Sequence, residues 1–252
     1  MKRSFKIVNA FLRFVFRRVC RIDPADFRQI PVNGPLILVG NHINFLEIPV
    51  FLPHVNHPNV TGIAKRESWK NPLFNFLFNL WGGIPIDRGT VDRDAIHLAE
   101  EALNAGKVLA ISPEGTRSKD GKLLPGKPGV VLLAYKTHAP LLPVAFHGYE
   151  EFWKNLKRFQ KTDFHLEMGQ PFTIDFERQP LSRDVRQRIT DEIMFKIAEL
   201  LPEKYRGHYQ FEQPVNYQFL VDDLSLMQKE RSLSPQWQEG KQAEKIPAAQ
   251  SS

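Results

Sequence analysis

With one cysteine, Cys20, this 252-residue chain has no intrachain disulfide, which fits a reducing compartment. No stretch approaches the roughly 18 uninterrupted apolar residues of a membrane-spanning helix. Charges threaded through the N-terminus also leave no signal-peptide core. The mature chain is therefore expected neither to cross a bilayer nor to be exported. Catalytic signatures are sparse as well: there is no G-x-S-x-G elbow, no H-E-x-x-H for zinc and no dinucleotide glycine fingerprint. Gly115 to Lys122 superficially looks like a phosphate-cradling loop, but the spacing is one residue too long and Leu123 stands where Ser or Thr is required. A nucleophile-free mechanism with a histidine base is what these absences leave.

Acid is missing from the N-terminus, where residues 1–22 hold Lys2, Arg3, Lys6, Arg13, Arg17, Arg18 and Arg21 without one Asp or Glu. The chain as a whole carries 34 Lys and Arg against 28 Asp and Glu, so the remainder is balanced at 27 to 28. That argues against a nucleic-acid partner and for one basic segment with a partner of its own. Residues 3–22 read as a helix, with Lys2 and Lys6, then Arg13, Arg17 and Arg21, four apart on one side. Phe5, Val8, Phe11, Leu12, Val15, Phe16, Val19 and Ile22 make the other side. A membrane-interface helix has this pattern, and so does a helix packed on its domain with a solvated basic edge. The missing acid favours the membrane surface. Residues 1–23 are thus expected to be a basic amphipathic interface helix, 24–224 one α/β domain, and 225–252, rich in Gln, Glu, Lys, Ser and Pro, a disordered tail.

Within the domain, apolar runs alternate with helical periodicity. Strands are expected over 35–39, 60–64, 84–86, 108–111 and 141–146, with late edge strands over 163–168 and 171–174. Helices are expected over 45–52, 68–81, 90–105, 128–137 and 181–200. The helix over 68–81 is apolar almost all round and reads as core with an exposed aromatic edge. Such alternation implies a single α/β domain with a largely parallel or mixed central sheet flanked by helices. His54 and His57 sit among prolines and read as solvated loop residues, not metal ligands.

Ligands of open α/β sheets lie beyond the carboxyl ends of the strands, where the polar clusters fall. His42 follows the first strand, Lys65 the second, Asp87-Arg88 the short third, and Glu114-Gly115-Thr116-Arg117 the next. His42 and Glu47, five apart across a strand-to-helix turn, fit a base and its orienter, although a histidine satisfied near a helix N-terminus looks the same. Lys65, Arg88 and Arg117 offer a phosphate one point charge and two planar forks. Glu114 either clamps the arginines or receives a ligand hydroxyl, and Gly115 lets backbone approach a ligand.

With those residues in view, the chain resembles the glycerolipid acyltransferase family across roughly residues 30–175. Asn41-His42-x4-Glu47 resembles its N-H-x4-D motif and Gly82 to Arg88 its G-x3-I-D-R. Ser112-Pro113-Glu114-Gly115-Thr116-Arg117 resembles its F-P-E-G-T-R, Leu142-Pro143-Val144 its V-P-V, and Lys65-Arg66-Glu67 its K-x-E. The resemblance implies that His42 deprotonates a lysophospholipid hydroxyl, most simply that of 1-acyl-sn-glycerol 3-phosphate. That hydroxyl would attack the thioester of acyl-CoA or an acyl-carrier protein and give phosphatidate. It further implies Glu47 behind His42; Lys65, Arg88, Glu114, Gly115, Thr116 and Arg117 at the acceptor; no metal and no cofactor; and residence as a peripheral protein on the cytoplasmic face. Another lysolipid or a lipid alcohol is the alternative acceptor, and Glu47 in place of aspartate leaves open a catalytically silent lipid-binding protein. Ser112 in place of an aromatic is expected to alter packing, not chemistry.

Overall fold

A computed structural model describes residues 3–87, 92–118 and 120–223. The basic N-terminal segment forms α1 (Arg3–Val19), which buries Phe5, Asn9 and Phe16 against the domain. Buried Asn9 is satisfied by Asn56 Oδ1 at 3.1 Å and by the Trp81 indole N–H at 3.0 Å. The helix stops short of the expected residue 22, because β1 (Cys20–Ile22) pairs in parallel with a distant strand beginning at Thr162. Arg21 therefore leaves the helical row and grips Asp163 through two hydrogen bonds, of 2.5 and 3.1 Å. A short α2 (Pro24–Arg28) follows, with Asp23 accepting the Ala25 N–H and Pro24 at its start.

The first long apolar run becomes β2 (Leu36–Gly40), buried at every residue. After it come α3 (Glu47–Val55), β3 (Val60–Lys65), a 3₁₀ turn (Arg66–Lys70), α4 (Pro72–Trp81) and β4 (Ile84–Ile86). The expected single helix over 68–81 is broken at Asn71-Pro72. A residue before proline is pushed out of the helical region, and Asn71 sits at φ −81°, ψ 123°. From there it caps α4 by accepting the N–H groups of Leu73 and Phe74. Its aromatic edge is as expected: Leu77, Phe78 and Trp81 are buried, while Leu73 and Phe76 are exposed. Pro53 lies inside the last turn of α3 and does not end it. His54 belongs to that turn and not to a solvated loop, its Nδ1 2.7 Å from the Val50 carbonyl and its ring against Phe27. Burial pushes its pKa down to about 4.

The chain continues through α5 (Arg93–Asn104), β5 (Val108–Ile111), α6 (Gly129–Thr137), β6 (Leu141–His147), α7 (Phe152–Lys157), β7 (Thr162–Met168), β8 (Phe172–Ile174), α8 (Arg183–Leu200) and β9 (Leu220–Asp222). Asp92 caps α5 by accepting the Ala95 N–H, so the helix begins at Arg93, later than the expected residue 90. The expected tail at 225–252 lies outside the described residues.

Among the described residues the strands form one mixed sheet in the order β1-β7-β6-β2-β5-β3-β4, with β8 joined to β6 and β9 to β8. The five strands from β6 to β4 run parallel, while β7 and β8 pair antiparallel with β6. β7 is interior and not the expected edge strand, because β1 covers its free side. Helices cover both faces. Ile37 and Val39 of β2 point into a core with α5, α6 and α8; Leu36 and Leu38 point into another with α1, α2, α3, α4 and α7. Fully burying each of these side chains stabilises the fold by about 1.5–3 kcal/mol. The parallel strands β2, β5, β3 and β4 end along one edge of this sandwich, so the residues following them share it.

Candidate active site

At the carboxyl end of β2, Asn41 anchors the turn. It is 4% exposed, and its amide donates to the Phe146 carbonyl and accepts the Phe146 N–H, each at 2.8 Å. Losing either contact would strand a buried polar group at about 1–3 kcal/mol. His42 comes next, with 17% of its side chain exposed and Nδ1 3.3 Å from Oε2 of Glu47. The other oxygen of Glu47 accepts three donors: Ile43 N–H at 2.6 Å, Asn44 N–H at 2.9 Å and the Tyr149 hydroxyl at 2.5 Å. Oε2 makes no good hydrogen bond in this state and meets only the close approach of His42. The longer acid is thus accommodated by curling back over its own turn. Nδ1 is the ring nitrogen facing the carboxylate, at 3.3 Å, which leaves Nε2 as the nitrogen placed to take a proton.

Tyr149 is completely buried at the end of β6. Its pKa lies well above the ordinary value because burial and then the charge of Glu47 oppose ionisation, so the hydroxyl remains a donor. Sequence reasoning missed this residue. The available signal was topological: Tyr149 leaves the strand beside β2, at the edge where His42 emerges.

Glu114 is 1% exposed, with one oxygen accepting the His42 N–H at 2.8 Å and the other the Leu124 N–H at 3.0 Å. Its carboxylate holds the two loops together instead of offering itself to an arginine or a solute. The Ser118 N–H adds a bond to the His42 carbonyl at 2.7 Å. Tyr205 and Tyr209 are buried behind this loop, the Tyr209 hydroxyl accepting from Gly126 N–H and donating to Asp191.

Burial pushes the Glu114 pKa from its ordinary 4.5 up to about 7, against the two backbone donors and with help from the Glu47 charge. The folded chain therefore holds a proton that the unfolded chain releases between those values. Stability falls as pH rises through this window, by up to about 3 kcal/mol from this one group. Urea unfolding at about pH 5 and about pH 7.5 is expected to show the decline, and E114Q to flatten it.

Two cavities meet at His42. One, of about 160 Å³, is predominantly apolar; Gly40, Gly62 and Ala110 of the sheet leave its space, and Phe51 and Phe78 help line it. Gly115 lines it too, at φ +64°, where a Cβ would crowd the Lys127 side chain at 3.2 Å. The second, of about 120 Å³, gathers His42, Lys65, Ser68 and Arg117 with Phe45 and Phe74 at its rim. The structure thus brings together His42, Glu47, Lys65, Gly115 and Arg117. Thr116 is exposed on the loop between them, Lys65 pairs with Glu67, and Arg88 lies outside the described residues. Asp87, beside it, is exposed and bonded to Arg66 at 2.6 Å. Among the described residues no group of three or more His, Cys, Asp or Glu is placed to hold a metal ion, and no helix is long and apolar enough to cross a membrane.

A family model described as Acyltransferase matches residues 21–147, about half of the chain. The chain belongs to the acyltransferase family. Among its acyltransferase relatives, the 1-acyl-sn-glycerol-3-phosphate acyltransferase of Cocos nucifera is 32% identical over 184 residues, covering 71% of this chain and 58% of that protein. The enzyme of the same name from Helicobacter pylori is 30% identical over 174 residues, covering 67% and 72%. The crystal structure of the 1-acyl-sn-glycerophosphate (LPA) acyltransferase PlsC from Thermotoga maritima matches with a TM-score of 0.56 and 25% identity over 78% of each chain. The chain spans about half the length of several of the curated relatives it matches. Every motif quoted for the family resemblance except Arg88 falls on described residues, and the matched region ends at the close of β6.

Proposed function

We propose that this protein transfers a fatty acyl group from an acyl thioester, on coenzyme A or an acyl-carrier protein, to the free hydroxyl of 1-acyl-sn-glycerol 3-phosphate, giving phosphatidate. One observation carries this reading: His42 stands where an apolar cavity meets a lobe bearing Lys65 and Arg117. The apolar cavity suits a hydrocarbon chain and the cations suit a phosphomonoester. Between them, His42 Nε2 takes the proton of the acceptor hydroxyl, whose oxygen attacks the thioester carbonyl. The tetrahedral adduct then expels the thiolate, which receives that proton from the imidazolium, so no acyl-enzyme forms. Glu47, held by Tyr149 and two backbone N–H groups, keeps Nδ1 protonated and steadies the imidazolium. The names of the relatives support this acceptor.

The substrates would be drawn from a membrane surface. Of the apolar face of α1 expected to meet lipid, Phe5 and Phe16 are buried and Val8, Leu12 and Val19 pack on the core; the stripe exposed by more than half is instead Ile7, Phe11 and Phe14, flanked by Lys6, Arg17 and Arg18. On this ground we place the protein on the membrane as a peripheral protein, and its single cysteine fits the reducing, cytoplasmic face.

Arg117 gives the sharpest test of the acceptor. R117A is expected to raise the KM for 1-acyl-sn-glycerol 3-phosphate roughly tenfold to a hundredfold, the worth of one charge-assisted bond. Transfer to a monoacylglycerol, which lacks the phosphate, should change little. Equal losses on both acceptors, measured by thiol release, would remove the phosphate from the reading.

A further inference from the structure

Residues 152–161, from α7 into the turn before β7, read Phe-Trp-Lys-Asn-Leu-Lys-Arg-Phe-Gln-Lys. Phe152 and Leu156 face the core, as expected for a helix that docks one side. The other side is unusual. Trp153 is 59% exposed and Phe159 wholly exposed. Phe159 also sits at φ +55°, the left-handed conformation at a helix end that ordinarily selects glycine or asparagine. Its N–H and that of Gln160 close the helix on the carbonyls of Leu156 and Asn155. Neither packing within the chain nor backbone preference accounts for a large aromatic ring held there in water.

The surroundings supply a partner's chemistry. Lys157, Arg158 and Lys161 flank Phe159 in the chain and are exposed, and the segment contains no acid. Lys161 reaches α1, donating to the Arg17 carbonyl at 3.2 Å. A groove between them is lined by Arg13, Arg17, Arg18, Lys161 and Phe14, again without an acid. The segment thus continues the basic, aromatic surface of α1. At its other end Trp153 stacks on Phe45, ring centres 5.4 Å apart, and Phe45 rims the cavity that holds His42.

We propose that residues 152–161 are a second membrane-insertion element, with Trp153 and Phe159 entering the acyl region and Lys157, Arg158, Lys161 and Arg17 seated on anionic headgroups. Together with α1 it would fix the rotation of the domain on the bilayer so that the Phe45 rim faces the lipid. The inference rests on the membrane-lipid reading above, so binding and catalysis are measured separately.

The test uses the full chain with F159C carrying an environment-sensitive fluorophore. Cys20 is 1% exposed with its thiol pKa pushed up to about 11 by burial, so the label goes to position 159. On vesicles of phosphatidylcholine plus phosphatidylglycerol the emission is expected to shift blue and resist an aqueous quencher. F159D in the unlabelled chain should weaken vesicle affinity about tenfold or more, from lost aromatic burial, while leaving turnover of a water-soluble short-chain acceptor unchanged. A label that stays in water while the protein sediments with the vesicles would overturn the proposal but leave the enzymatic reading intact. A blue shift that appears without vesicles as protein concentration rises would also overturn it, assigning the surface to a second copy of this chain.

Discussion

H42A is expected to lower acyl transfer at least about a thousandfold, the upper range for a positioned general base and about 4 kcal/mol of transition-state stabilisation. The fold should survive. The loop is held by backbone groups that alanine retains, the His42 N–H on Glu114 and the His42 carbonyl under Ser118. The His42 side chain is 17% exposed and already borders two cavities, so its loss enlarges existing space and does not open a sealed core cavity. Circular dichroism and the urea midpoint would check folding, and thiol release from an acyl thioester would check turnover. A folded H42A protein with near wild-type turnover would eliminate the mechanism.

The second large effect belongs to Glu47. In E47Q the amide oxygen can still accept from Ile43, Asn44 and Tyr149, which places the NH₂ where Oε2 now faces His42 Nδ1. Two donors then oppose each other. The imidazole answers by moving its proton to Nε2 or by swinging away, and either abolishes the base, so turnover is expected to fall about a hundredfold to ten-thousandfold. The double variant H42A/E47Q should be no worse than H42A alone, because the pair acts as a unit. E47D keeps the charge but draws the carboxylate back from its three donors, and a loss of roughly tenfold is expected. A protein inert as it stands and activated by aspartate would instead identify this chain as a catalytically silent relative.

The parts of the fold that were legible in the sequence are those whose physics is local. Leu36 to Gly40, Val60 to Lys65, Val108 to Ile111 and Leu141 to His147 are apolar runs of strand length, and each is a strand near the centre of the sheet. The short pieces β1, α2, α7 and β9 are not legible: unlike the equally short β4 and β8, they carry no apolar run bounded by turn residues, and charged or polar side chains interrupt them. β7 reads as an edge strand from the sequence, since only its pairing with the distant Cys20–Ile22 makes it interior and no local signal encodes that partner. The break at Asn71-Pro72 was available in the residue types, but the continuous apolar run hid it.

The site shows the same division. His42, Glu47, Lys65 and Arg117 could be grouped because each follows a strand at one edge of a parallel sheet. What Glu114 does could not be read, because its two backbone partners are set by how the loops at 42 and 124 fold over it. Tyr149 carried no motif at all, and its contact with Glu47 spans 102 residues of chain.

The most direct measurement of the central claim is to incubate the purified wild-type protein with an acyl-CoA or acyl-carrier protein and 1-acyl-sn-glycerol 3-phosphate on vesicles, following free thiol and lipid product together. Stoichiometric thiol and phosphatidate, both lost in H42A, are the predicted result. Thiol release independent of the acceptor, or a folded protein that gives neither product with any lysolipid, would contradict it.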